Sequence, residues 1–569
     1  MDLEIGVKEL EEKREEEHLQ YPRIVGVLSR IICYHNKVLV YGSRDVGKSL
    51  YVRLAVLSLA YQSSATCEKK PEQKEERQGQ DRREQKEEKR YLPVFLQCPI
   101  AADVVLRLAN LARFHTENIP LSSHYDIEPI IVLDDAHLCR DEDLVRINSQ
   151  LPKTKLVLIA PSAAIRKRSE YTSIKVLPLR FVEVAEMMDE NIRNFLRERH
   201  LQGCKRINNL SNIDTVSEFL KKLRESLERN NRDGYNFLMR LFRCYLICGG
   251  TAHGIKCVDD CLNNRELEGF SHMFFKTVEE ILEDARVYGK YYGGINEVAL
   301  QAAMMYFAEK VMKKGLETDQ ESLPGEVINK AQEISLWWNI GQRHEDLRNA
   351  VFNAIRYLDD SGVVIRIKRY KEQNVVKYVF TDPRYLIGAY LYYTHMVGNY
   401  EYPSAFGEIL RAINDLVPIE PEKQAQKTPE TKDLSVKLGH YLEAITLSNL
   451  ALGAYAMSVS CGKPEKDRPP LSKYVNYIKT DLYEIDALIK VGYPDEKRGK
   501  VNLGILFEVS RSFDKQHVNR CKEALHDISN TLKEVNGLYC IYATLDKDEV
   551  DFHDDGVIVA PLPLALLLF

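Results

Sequence analysis

The chain contains no apolar stretch long enough to cross a bilayer. Its C-terminal run, GVIVAPLPLALLLF, is short and broken by two prolines, and it reads as a final buried strand. The N-terminus, MDLEIGVKELEEKREEEH, is a charged helix without the apolar core that a secretory signal needs. These absences predict a soluble, cytoplasmic protein with no membrane partner. An excess of positive charge is missing too. The formal charge is −5, which argues against a generally basic, nucleic-acid-coating protein but leaves room for a local basic patch. Cysteine is thinly spread, with 12 in 569 residues, far below the density of a disulfide scaffold. The tightest group is Cys244, Cys248, Cys257 and Cys261, with His253 between the pairs. Its C-x-x-x-C spacing lacks the C-x-x-C knuckle of zinc sites, so the expectation is buried thiols on apolar helix faces. Disulfides stay open as an alternative, as in hyperthermophile proteins.

What is present is an ordinary globular composition, 44% hydrophobic and 29% charged, in a chain long enough for several domains. Near its start, VLVYGSRDVGKS runs from an apolar strand through a glycine loop into a helix, SLYVRLAVLSLAY. Gly42, Gly47, Lys48 and Ser49 complete G-x-x-x-x-G-K-[ST], the phosphate-binding P-loop. Glycine lets the loop turn its N–H groups inward around a polyphosphate. Lys48 is then expected to reach the β- and γ-phosphates, and the Ser49 hydroxyl to sit on Mg²⁺. The helix that follows aims its positive end at the same phosphates. Gly42, Ser43, Arg44, Asp45, Val46, Gly47, Lys48, Ser49 and Leu50 are therefore the expected nucleotide cradle.

A second apolar strand, PIIVLDDAH, ends in two carboxylates, where open α/β sheets bind ligands. Asp134 is expected to share the Mg²⁺ shell with Ser49, and Asp135 to polarise the attacking water. KLVLIAPS gives a further buried strand whose tip, Ser162, is a sensor of the γ-phosphate or a helix cap. Strands and helices alternate up to Phe181, which predicts a three-layer parallel sheet. The run from Gln62 to Arg90 is dominated by Glu, Lys, Gln and Arg and reads as a solvated insertion.

Helical sequence from about Val182 into the 320s reads as a lid. Two helices and a hairpin then follow in the outline of a winged helix. Arg366, Lys368, Arg369, Lys371 and Lys377 make the wing basic, and DNA contact there is one reading beside an ordinary solvated face. A Pro-, Lys- and Glu-rich linker precedes the last domain. There Glu443 on a helix, Asp486 on one strand and Glu508 on the next have the spacing of a PD-(D/E)XK nuclease core, whose carboxylates bind Mg²⁺. Ser510 stands at the lysine position of that core, with Lys515 and Lys522 on the next helix. The site reads as a degenerate one, with nuclease activity absent.

With these residues together, the chain resembles the prokaryotic, mainly archaeal, AAA+-like ATPases that carry a C-terminal nuclease-like domain of unknown function. GSRDVGKS resembles that family's G-x-R-x-V-G-K-T, and LDDAH its L-D-E-[IA]-[QH]. PLRFVE, YLICGGTAHG, YVFTDP, LGHYLEAI, EID and FEVSRS are similar to its later motifs in the same order. Asp135 for Glu, Ala252 and His253 for Pro-Glu, and Ser510 for Lys depart from it. The resemblance implies an α/β chain in five parts. These are a P-loop ATPase core over 1–185 with its charged insertion at 62–90, and a helical lid over 186–325. A winged helix over 326–400, a linker over 401–433 and the nuclease-like domain over 434–569 follow. It implies ATP and Mg²⁺ as cofactors and ATP hydrolysis as the activity. A nucleotide-gated scaffold without turnover, or a DNA-binding or defence-type effector, is the alternative. A protein partner or a second copy of the chain is a further expected partner.

Overall fold

The computed structural model describes residues 23–61, 88–117, 125–152, 154–161, 171–198, 210–230, 234–265, 267, 270–288, 294–337, 344–372, 374–398, 402–417, 429–460, 471–495, 499–531, 537–553 and 555–569. Most of the expected charged insertion and Ser162 lie outside them. Contacts divide the chain into two compact units. The smaller comprises residues 20–42 and 47–176, and the larger comprises 1–19, 43–46 and 177–569.

The smaller unit holds a sheet of five parallel strands. They are β1 (Lys37–Tyr41), β2 (Glu88–Gln97), β3 (Tyr125–Asp134), β4 (Lys155–Ala160) and β5 (Thr172–Lys175), in the order β2-β3-β4-β1-β5. The fold class is thus mixed α/β with a parallel sheet. β4 separates β1 from β3, with Tyr41 level with Ala160 and Leu133 level with Leu158. All five C-terminal ends therefore share one edge, and Asp134 emerges on it. One face is packed by Leu39, Ile131, Leu133, Leu156 and Leu158 against Val105, Ala109, Leu144 and Ile147. Each fully buried aliphatic side chain of this kind stabilises the unit by about 1.5–3 kcal/mol. That packing fixes the strand ends from which the polar residues project. β2 begins at Glu88, so the strand recruits the last charged residues of the expected insertion.

The larger unit contains helices and a nine-stranded mixed sheet. Its strands are β6 (Glu317–Asp319), β7 (Val364–Arg369), β8 (Val375–Phe380), β9 (Val475–Lys479), β10 (Glu484–Asp495), β11 (Gly499–Ser510), β12 (Gly537–Thr544), β13 (Asp551–His553) and β14 (Val557–Pro561). The order is β13-β14-β12-β11-β10-β9-β7-β8-β6. The basic hairpin β7–β8 is therefore inside a continuous sheet, joined to the C-terminal strands by a short parallel pairing of Lys368 with Asn476 and Arg369 with Tyr477. Sequence from about Val182 to the 320s is not wholly helical, because β6 pairs with β8. The C-terminal run is a strand only to Pro561. Two prolines, one ending the strand and one in the first turn beyond it, start the short helix Leu562–Leu566.

Helices used below are α1 (Lys48–Tyr61), α2 (Gly234–Cys248), α3 (Ala252–Leu262), α4 (Ser271–Tyr288), α5 (Pro383–Gly398), α6 (Pro429–Ser460) and α7 (Lys515–Thr531). The last strands are packed by α7, whose Val518, Cys521, Leu525 and Ile528 meet Leu488, Leu506, Tyr542 and Val559. The expected buried thiols of the 244–261 group are corrected: Cys244 pairs with Cys261 and Cys248 with Cys257 as disulfides. Each C-x-x-x-C pair lies along one helix face, and α2 and α3 turn those faces toward each other across residues 249–251. Cys521 and Cys540 are buried free thiols. Among the described residues no helix is long and apolar enough to cross a membrane.

Candidate functional site

The glycine loop leaves β1 at Gly42 and enters α1 at Lys48. Gly47 has φ +85, a conformation that costs glycine little, and the Tyr51 ring fills the space where a Cβ would stand. Within the smaller unit, Ser49 Oγ donates to Asp134 Oδ1 at 2.9 Å, joining residues 85 apart in sequence. Asp135 adopts φ +48, and its Oδ2 accepts from Gln97 Nε2 at 2.5 Å. The Cys98 N–H donates to the Asp134 carbonyl at 2.9 Å, and Cys98 is bonded to Cys139, so a disulfide brackets both aspartates. Leu50 is 47% exposed. Serine hydroxyl and carboxylate are hard oxygen donors of the kind Mg²⁺ takes, and Mg²⁺ draws its remaining ligands from water and phosphate. The Ser49–Asp134 pair fits that ion.

Residues 43–46, the tip of the loop, group with the larger unit and are held there by named contacts. Ser43 Oγ and Tyr385 Oη are 2.7 Å apart, and Tyr385 Oη donates to the Arg44 carbonyl at 3.0 Å. The Asp45 carbonyl accepts from the Ala252 N–H at 2.8 Å. The Asp45 carboxylate, at φ +65 and only 2% exposed, pairs with Arg384 Nη1 at 3.1 Å and shares a hydrogen bond with His253 Nδ1. That hydrogen bond raises the His253 pKa above its ordinary value against the opposing effect of burial. Arg44 Nη1 lies 2.8 Å from Asp284 Oδ1.

Arg384 and Tyr385 begin α5, and the same local motif explains their placement. Asp382 accepts from the Arg384 N–H at 2.8 Å, as a helix N-cap does, and from the Gly250 N–H at 2.6 Å. Gly249, at φ +74, allows this approach, since a Cβ there would collide with the Asp382 carboxylate. Burial pushes the Asp382 carboxyl up to about 7, with the two N–H bonds opposing the shift. The segments GGTAH and FTDPRY therefore meet at one place. Arg384 and Tyr385 were not singled out by sequence, and His253 was noted only between the cysteine pairs and as a departure from the resembled motif. The available signal was Asp45 itself, an acid inside a loop with the sequence pattern of a phosphate binder.

The C-terminal carboxylates gather around a different cation. Lys377, 2% exposed on β8, places Nζ 2.7 Å from Glu443 Oε1 on α6 and 3.3 Å from Glu484 Oε1 on β10. Burial pulls the lysine pKa down, but Glu443, Asp486 and Glu484 more than offset it and raise it. Burial opposes ionisation of Glu443, and Lys377 outweighs it, so that carboxyl is lowered. Asp486, at an irregularity in the β9–β10 register, accepts from the Val509 N–H at 2.8 Å. Its carboxyl is raised well above the ordinary range by burial and by Glu508. Burial also lifts Glu508 to about 8, and its Oε1 lies 2.5 Å from His517 Nδ1. Lys522 pairs with Asp555 instead. Among the described residues no group of three or more His, Cys, Asp or Glu side chains is arranged to hold a metal ion. The carboxylates of this cluster are met by the Lys377 ammonium, the His517 imidazole and backbone N–H groups, and they do not fit Mg²⁺.

Of the basic hairpin residues, Lys377 is buried in this cluster and Arg369 donates to the Lys479 carbonyl at 2.5 Å and 3.0 Å. Arg366 and Lys368 are half-buried, and Lys371 is exposed. No protein-family model matches the chain, and no curated protein matches it.

Proposed function

We propose that the chain is a Mg²⁺-dependent ATP-binding protein that hydrolyses ATP, as the resemblance to the archaeal AAA+-like ATPases implies. The observation that carries this reading is the Ser49–Asp134 hydrogen bond at 2.9 Å behind a glycine loop at the C-terminal edge of a parallel sheet. In it, Lys48 and the loop N–H groups bind the β- and γ-phosphates, and Ser49 and Asp134 hold Mg²⁺. When bound there, the ion would supply positive charge to offset that on the phosphate oxygens. Asp135 orients a water toward the γ-phosphorus and accepts its hydrogen bond, and Gln97 fixes that carboxylate. Water oxygen bonds to phosphorus as the bridge to the β-phosphate breaks, giving ADP and phosphate. Titration of the full chain with Mg²⁺-ATP tests it. Binding is expected, lost in Lys48→Ala and kept in Asp135→Asn with slowed release of phosphate. A folded protein that binds no Mg²⁺-ATP would falsify the reading.

The C-terminal cluster is proposed as structural rather than hydrolytic. Lys377 supports this, because it supplies from within the chain the positive charge that a nuclease core takes from metal. Cleavage of DNA by the full chain with Mg²⁺, abolished by Glu508→Gln, would overturn it.

A further inference from the structure

We propose that Arg384, Tyr385 and His253 are positioning residues for the phosphate loop, and that Arg384 and His253 cancel the Asp45 charge so that the loop accepts a polyanion. The inference rests on the nucleotide reading above and adds a control to it. Asp45 stands in the middle of GSRDVGKS, three residues before Lys48. An uncompensated carboxylate there would repel the ligand that the loop's N–H groups attract, strongly so away from bulk water. Its two oxygens instead meet Arg384 and His253. Further contacts, from Tyr385 to Ser43 Oγ and the Arg44 carbonyl and from the Ala252 N–H to the Asp45 carbonyl, engage hydroxyl and carbonyl groups. The named contacts thus grip the tip by groups other than the amide hydrogens a phosphate needs. Arg384 is itself fixed, with Nε donating to Thr277 Oγ1 at 2.8 Å and Nη2 to the Met273 carbonyl at 3.3 Å on α4. The grip begins four residues after β8 ends, through Asp382, and β8 carries Lys377. The state of the loop is therefore linked through one short segment to the nine-stranded sheet.

The test is Mg²⁺-ATP affinity of the full chain, with the thermal transition of each variant as the folding control. Arg384→Gln is expected to weaken binding by about tenfold or more, as one uncovered charge beside a polyphosphate does in a medium of intermediate dielectric. Adding Asp45→Asn removes the uncovered charge and should bring the double variant most of the way back to wild type. A purely structural arginine gives no such rescue. Tyr385→Phe keeps every charge and should speed hydrogen exchange at the amides of residues 43–46 in nucleotide-free protein. If Arg384→Gln does not fold, His253→Ala carries the same test from the exposed side of Asp45, with the same rescue expected. Wild-type binding with an unchanged single variant, or a double variant no better than the single, overturns the positioning role alone. A wild type that binds no nucleotide overturns the nucleotide reading and this inference with it.

Discussion

The glycine loop and the C-terminal carboxylate cluster both carry acids that the sequence makes readable, yet they solve the charge problem in opposite ways. Asp134 at the end of β3 meets a serine hydroxyl, a neutral partner that brings no positive charge of its own. Glu443 and Glu484 meet the ammonium of Lys377, which Asp486 attracts as well and which arrives from a hairpin more than 60 residues upstream of Glu443. In the proposed reading the first site takes its cation from outside, whereas the second is met by a cation of the chain itself. Carboxylate spacing alone cannot tell the two apart, because it says nothing about which cation stands between them.

The sharpest way to break this contrast is Lys377→Met. It leaves Glu443 buried without its counter-charge, and breaking a buried pair from one side costs about 3–5 kcal/mol. Chemical denaturation of the full chain should show that loss. Lys377→Met combined with Glu443→Gln should recover a substantial part of it, since no uncovered charge remains. If the single variant is as stable as wild type, the cluster is not closed by Lys377 and the comparison fails.

A smaller effect is expected at Asp382, which ties Gly250 to the first turn of α5. Both of its oxygens accept backbone N–H bonds, so Asp382→Asn must turn an amide NH₂ toward one of those donors. A buried donor left without an acceptor costs about 1–3 kcal/mol. The measured loss should therefore fall below that of Lys377→Met. Loop affinity for Mg²⁺-ATP should fall with it, because Arg384 and Tyr385 follow directly.

How much of this was legible in the sequence depends on the range of the interaction. The β1–loop–α1 passage and the β3 acids were readable, because an apolar run followed by glycine or aspartate is a local signal. The strands carrying Asp486 and Glu508 were readable for the same reason. Lys377 was noticed only as one basic residue of a hairpin. Its burial depends on β7 pairing with β9, a two-residue parallel contact that no local pattern encodes. The 244–261 cysteines show the same limit. Their helical spacing was plain, but pairing required knowing that α2 and α3 face each other. β6 is three residues long and offers too little alternation to be seen.

The pH response gives a third comparison, with its sign set by the shifts. Glu508 is raised from an ordinary 4.5 to about 8, so the folded chain binds its proton more tightly than the unfolded chain does. Its stabilising contribution is complete below the unfolded value and is lost as pH rises through the folded one. Asp382, raised to about 7, acts in the same direction. Glu443 is lowered, so its contribution is present above the unfolded value and is lost as pH falls through the folded one. Denaturation midpoints for Glu508→Gln should decline less than wild type between about pH 4.5 and 8. An unchanged slope would remove Glu508 from the cluster's proton balance.

The smallest expected effect on stability is the most informative about the loop. Asp134 is partly exposed and its side-chain oxygen accepts from a hydroxyl and from the Asp135 N–H at 3.0 Å. Asp134→Asn keeps one carbonyl oxygen for those two donors. The change in unfolding free energy should therefore stay within about 1 kcal/mol, in the range of substitutions that strand no charge. Mg²⁺-dependent ATP affinity should nevertheless fall sharply, because an amide is a far weaker Mg²⁺ ligand than a carboxylate. Thermal shift with and without Mg²⁺-ATP reads both quantities on one sample. A variant that is stable and has lost the Mg²⁺-ATP shift marks Asp134 as held for a ligand, whereas Lys377→Met shows its loss with no ligand added. If Asp134→Asn instead lowers stability as much as Lys377→Met does, the β3 carboxylate serves the fold, and the loop loses its claim to be the open site of the two.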